Sequence, residues 1–173
     1  NSGTAVTARA VLAAYRVRAK TSNEPPDLAV RKLLAGKLDA FFFVGGAPVP
    51  LVDGLVKSGQ ATLLAIEGPG RDRLLARTQG LSKDTISSGT YGRLPVIPTV
   101  SVRALWIVSD REPDATVFGI TRALFSPASR KLLIQGSPSA RAVSLARAAR
   151  DLPAPLHQGA ARFYREVSRQ GTP

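Results

Sequence analysis

The sequence predicts an α/β fold, a parallel or mixed sheet with flanking helices, and three observations lead there. Two short apolar runs bounded by turn residues, 38–44 and 61–66, read as buried strands. Stretches with helical spacing, each with its own start and stop signals, lie around them. Strand and helix signals alternate through the first half, the pattern of parallel strands joined by crossover helices.

The elements follow in order. Ser2-Gly3-Thr4 opens a helix whose apolar positions are Ala5, Ala8, Val11, Leu12 and Tyr15. Ser2 suits the N-cap, because its hydroxyl can accept from an unpaired N–H of the first turn. After a polar loop, Pro26 suits a first helical position and Asp27 complements the helix dipole. That helix carries Leu28, Val30, Leu33 and Leu34 and ends at Gly36. The strand 38–44 contains Phe41-Phe42-Phe43, read as core, and runs into Gly45-Gly46-Ala47-Pro48. A helix over 50–57 stops at Gly59, the strand 61–66 follows, and then a helix over 71–78.

The second half has fewer apolar runs. Residues 82–95 are rich in Ser, Thr, Gly and Pro and read as a loop carrying Tyr91. Residues 96–108 read as one or two strands with Trp106 in the core. Asp114 suits the N-cap of an expected helix through Val117, Ile120, Thr121, Leu124 and Phe125. A helix is expected over 139–150, an extended proline segment over 152–157, and a last helix over 160–169. The division that results is a lobe over 1–95 and, over 96–173, strands and helices returning to another lobe.

Composition narrows the function. Twenty-four Lys and Arg stand against 12 Asp and Glu in 173 residues, a formal charge of +12. The absence of cysteine removes disulfides, thiol catalysis, zinc fingers and iron–sulfur sites. No apolar run approaches the roughly 20 residues that span a bilayer. The chain begins at Asn1 and holds no methionine, which reads as a processed or excised segment, so that any signal peptide would lie upstream. The arginines are spread from Arg9 to Arg169 rather than clustered with aromatics, so a solvated basic surface is favoured over nucleic-acid binding.

The candidate sites are two glycine-containing junctions and one tyrosine. Unpaired N–H groups at the starts of helices attract anions, and glycine lets a ligand approach the backbone. Ser2-Gly3-Thr4 and Gly45-Gly46-Ala47-Pro48 both fit that description, and both fit ordinary capping and turn chemistry as well. Neither is a phosphate-binding loop, since no Lys-Ser or Lys-Thr follows the glycines. Tyr91 sits in a polar loop where a hydroxyl would be exposed to a ligand. The one histidine, His157, lies before a helix and reads as a cap or turn residue. The carboxylates Asp27, Asp39, Asp53, Asp84 and Asp114 are scattered and form no acid–base pair, so no enzyme activity is expected.

Four stretches, taken together and in order, resemble the TAXI family of solute receptors of TRAP transporters. They are Ser2-Gly3-Thr4 with Thr7-Ala8-Arg9; residues 39–50, from Asp39 to Pro50; Thr90-Tyr91 before Thr99-Val100-Ser101-Val102; and residues 155–161 leading into Phe163-Tyr164-Arg165-Glu166. Gln158 departs from the pattern, standing where the family usually has proline.

The resemblance implies a type II periplasmic-binding-protein fold that closes around a small organic anion, a dicarboxylate or an amino acid such as glutamate. It implies a periplasmic or other extracytoplasmic location and delivery to the membrane subunits of a TRAP transporter, without a cofactor. It also implies that the chain is a C-terminal portion with the second lobe incomplete. Carried over, Ser2, Gly3 and Thr4 would hold an anionic group, Gly45, Gly46 and Pro48 would shape the facing turn, and Tyr91 would add a hydroxyl. A homodimer of the chain is the other partner the reading admits. The competing readings are an effector-binding domain of a transcription regulator, which shares the fold, and a basic nucleic-acid-binding module.

Overall fold

A computed structural model describes residues 2–150, 152–169 and 171. The first helix, α1 (Gly3–Ala14), starts as its sequence requires: Ser2 is extended and its Oγ accepts from Ala5 N–H at 3.3 Å. It ends without glycine. Arg16 takes a left-handed φ of 58°, Arg16 N–H donates to Ala13 O at 3.1 Å, and Val17 N–H donates to Leu12 O at 2.9 Å. That is the pair of hydrogen bonds that closes a helix end, formed around a residue with a Cβ.

The helices α2 (Pro26–Leu34) and α3 (Pro50–Lys57) both start on proline and end in the same motif, with Gly36 and Gly59 in the left-handed position. Asp27 in the first turn of α2 is bridged by Arg31 at 3.0 Å, and Lys32 pairs with Glu24 upstream. The Lys32 ammonium bonded to Glu24 holds that carboxyl below its ordinary range. Then α4 spans Gly68–Arg77, beginning three residues before the expected start at 71.

The strands depart most from expectation. β1 (Leu81–Ile86) and β2 (Ile97–Val102) pair antiparallel, Leu81 opposite Val102 and Ile86 opposite Ile97. The first five residues of the expected loop 82–95 are therefore strand, and the sheet formed among the described residues is antiparallel rather than parallel. The reason lies in the connection: residues 87–96 contain no helix, and a short loop can only return the chain antiparallel.

The expected strands 38–44 and 61–66 do not enter a sheet among the described residues. Segment 61–66 comes close, with Ile66 N–H donating to Pro98 O at 2.9 Å beside β2. Pro98 itself has no N–H to return to that segment. Phe42 and Phe43 are consequently exposed at 39 % each, where the sequence had placed them in the core.

The chain divides into two compact units, Asn1–Arg103 and Ala104–Pro173. β2 thus belongs with the first unit, whereas the sequence pattern puts the start of the second region at residue 96. In the first unit α1 packs on α4, with Leu74 only 1 % exposed against Val11 and Ala14. Ile66, Leu81 and Val100 close this cluster from the side of the strands. Tyr15 lies over Gly70, and its hydroxyl donates to Glu67 O at 2.7 Å, while Arg73 Nε donates to Ala14 O at 2.9 Å. The first bond ties the end of α1 to the start of α4, and the second ties that end to the middle of α4.

The second unit packs α5 (Asp114–Leu124) against α8 (Gln158–Arg169). Gly159 sets the approach, since a Cβ there would fall on the Asp114 carbonyl oxygen. Phe163 stands edge-on to Phe118 and stacks on Phe125, each at a centroid distance of 6.0 Å. Between them α6 (Pro127–Gly136) corresponds to no expected element, although Ser126 caps it and Pro127 starts it.

The helix expected over 139–150 is two pieces, a 3₁₀ turn (Pro138–Ala142) and α7 (Leu145–Ala148). The extended backbone of Ser144 separates them. Residues 103–108 are not strand, and Trp106 is 67 % exposed rather than buried. No apolar neighbour among the described residues covers it, so its apolar flanks place it in no core.

Candidate functional site

The turn before α3 is built from its own chain outward. Ala47–Pro48 is a cis peptide, and Pro48 and Pro50 withhold two N–H groups from the start of the helix. Phe43 lies under Gly45 so closely that a Cβ at 45 would meet its Cε1 at 2.6 Å. Val49 N–H donates to the Tyr91 hydroxyl at 2.8 Å, across 42 residues. Tyr91 is therefore a clamp on this turn. Its ring is buried at 3 % exposure, where the sequence suggested an exposed loop tyrosine.

Electrostatics at this turn are mixed. Burial pushes the Tyr91 hydroxyl above its ordinary pKa, with the Val49 N–H opposing and the Asp53 carboxylate reinforcing the shift. Asp53, in the first turn of α3, is bridged by Lys57 at 2.8 Å through Oδ2, and its Oδ1 is buried without a hydrogen-bond partner. Asp53 is one of the scattered carboxylates of the sequence, and its four-residue spacing from Lys57 on a helix is readable there.

The start of α1 differs. Its first turn has no acidic residue, and no described residue takes up the N–H groups of Gly3 and Thr4. Ser2 and Gly3 are exposed and Thr4 is half-buried. This end of a helix has the free donors and the uncompensated dipole that suit an anion. The structure thus joins Tyr91 to the Gly45–Pro48 turn, while α1 packs against α4. Neither of two surface cavities is lined by these residues. One of about 130 Å³ lies between α1 and α4, and one of about 490 Å³ lies along α8.

His157 serves the fold. Its Nδ1 accepts from Gly159 N–H at 3.1 Å, capping α8, and its Nε2 lies 3.0 Å from Glu112 O. An imidazole accepting at Nδ1 carries its proton on Nε2, which donates to that carbonyl. Asp114 Oδ1 lies 3.7 Å from Nδ1.

A protein-family model described as the NMT1-like family matches residues 1–167. The chain belongs to the NMT1-like family. That family is periplasmic-binding-protein-like, and membership carries a solute-binding role in general. The mixed helix and strand content, with its small sheet, is compatible with such a fold. NMT1-like proteins are typically extracytoplasmic binding proteins, and among the described residues no helix is long and apolar enough to cross a membrane.

Proposed function

We propose that this NMT1-like chain is an extracytoplasmic solute receptor of the TAXI type, serving a TRAP transporter and performing no chemistry on its cargo. The cargo is a small organic anion, a dicarboxylate or an amino acid such as glutamate. The observation that carries the reading is the family match over residues 1–167. Two features of the chain support the anionic class: the net charge of +12 and the unpaired Gly3 and Thr4 N–H groups at the start of α1.

In this mechanism the solute's carboxylate accepts from the backbone at the α1 start, and the Gly45–Pro48 turn, held by Tyr91, supplies a rigid wall. The bound solute stabilises a closed arrangement of lobes, and the transporter's membrane subunits recognise that arrangement. Rigidity is what the clamp contributes, because a wall already ordered loses little entropy on binding.

The test is a thermal-stability screen of the protein against small carboxylates, amino acids and neutral analogues. A true cargo at a hundred times its Kd stabilises by about 2.7 kcal/mol, and the shift grows with the logarithm of its concentration. Thr4→Pro removes one donor at a position in the first helical turn, where proline is tolerated, and lowers the affinity. A screen in which no anion shifts the transition overturns the reading, as does a cargo whose affinity is indifferent to both Thr4→Pro and Gly45→Ala.

A further inference from the structure

His157 stands where the starts of two helices meet. Its carbonyl accepts from Ala161 N–H at 2.9 Å and its ring Nδ1 accepts from Gly159 N–H at 3.1 Å. It is therefore the N-cap of α8 through backbone and side chain together. Nε2 lies 3.0 Å from Glu112 O, in the turn that leads into α5. The side chain is only 10 % exposed. One imidazole thus fastens the start of α8 to the approach to α5.

The ring can keep these partners in one protonation state only. A neutral imidazole has one donor and one acceptor, and here the acceptor is spent on Gly159. A proton added at Nδ1 makes both nitrogens donors, so Gly159 N–H then faces another N–H. Gly159 is buried against α5, where a Cβ on it would fall on the Asp114 carbonyl oxygen and the Phe118 nitrogen. A backbone N–H stranded in such a place has to open towards water.

The added proton has a partner close by. Asp114 Oδ1 lies 3.7 Å from Nδ1, on an exposed side chain that a small rotation brings into bonding range. The other charged groups are engaged elsewhere or turned to solvent. Asp110, Arg111 and Glu112 are exposed in the turn before α5, and Glu112 meets the ring through its carbonyl. On α8, Arg162 is bonded to Glu166 and lies over the Phe118 ring.

We propose that His157 is a proton-operated cap: the neutral ring holds Gly159 N–H at the start of α8, and the imidazolium releases it and turns Nδ1–H to Asp114. Acid then loosens the entry into α8 while Phe163 stays packed between Phe118 and Phe125. The inference concerns the second unit alone and does not depend on the solute site.

Nuclear magnetic resonance of the full chain tests it residue by residue. Between about pH 8 and about pH 5 the Gly159 amide should follow the titration of the His157 ring. Its hydrogen exchange, corrected for the intrinsic effect of pH, should quicken about tenfold, the size of one lost hydrogen bond. Residues of α8 beyond the first turn should keep their protection. A resolved Nδ1–H resonance is expected in acid and should vanish in Asp114→Ala. His157→Asn offers an amide oxygen in place of Nδ1, a cap that does not titrate, and should abolish the response with the helix intact. A Gly159 amide indifferent to the ring's titration overturns the proposal, as does a ring still neutral at about pH 5. So do a response that persists in His157→Asn, an Nδ1–H signal unchanged in Asp114→Ala, or acid that deprotects α5 and α8 throughout.

Discussion

The first unit buries aliphatic side chains between two helices and a pair of strands, with Leu74 against Val11 and Ala14. The second buries aromatic rings between two helices, with Phe163 among Phe118, Phe125 and Tyr164. The first adds long-range polar bonds to backbone carbonyls and amides, from Tyr15, Arg73 and Tyr91. The second has one such bond, from His157 to Glu112 O, and a glycine that lets two helices touch. A small aliphatic cluster leaves helix ends to be fixed by such bonds, whereas aromatic rings cover enough area to hold a helix pair with one close contact. Both units leave apolar residues outward, Leu64 in one and Trp106 and Ile107 in the other.

The sharpest break of this comparison is a pair of core truncations. Phe163→Ala is expected to cost about 3–5 kcal/mol and Leu74→Ala about 2–5 kcal/mol. Hydrogen exchange read segment by segment distinguishes them: the first should deprotect α5 and α8 while sparing α1 and α4, and the second the reverse. Equal deprotection everywhere would show one cooperative block instead of two.

A smaller effect tests the polar bonds. Tyr91→Phe keeps the ring and strands Val49 N–H, and should cost about 1–2 kcal/mol in denaturant unfolding. The same residue gives the comparison a pH signature. Burial raises the folded pKa of Tyr91 above the unfolded value of about 10, so the folded state favours the neutral phenol. That stabilisation is complete below the unfolded pKa and is lost as pH rises through the folded one. Tyr164 is shifted in the same direction by burial in the second unit. Ultraviolet titration should therefore show late-ionising tyrosine, reduced but not abolished in Tyr91→Phe.

The smallest effect concerns the end of a helix. Arg16 holds a left-handed φ that costs an L-residue about 1–2 kcal/mol relative to glycine. Arg16→Gly should stabilise by about 0.5–1 kcal/mol after glycine's larger unfolded-state entropy is counted. Thermal unfolding of the two proteins at one concentration reads it.

About the candidate site, the sequence showed which backbone stretches begin helices but not what surrounds them. Ser2, Gly3 and Thr4 stand where a cap and first turn were expected. The Gly45–Pro48 turn also lies where expected, at the entrance to α3. Tyr91 belongs to that turn through one bond to a residue 42 positions away, and no local pattern announces such a bond.

By itself the sequence determined the ends of the helices at Ser2, Pro26, Gly36, Pro50 and Gly59, because capping and positive φ are settled within a few residues. Only the tertiary structure decided that 81–86 returns antiparallel on 97–102, that Phe42 and Trp106 face outward, and that Tyr91 is buried. A strand needs a partner and a buried ring needs a roof, and both are supplied by residues far away in the chain.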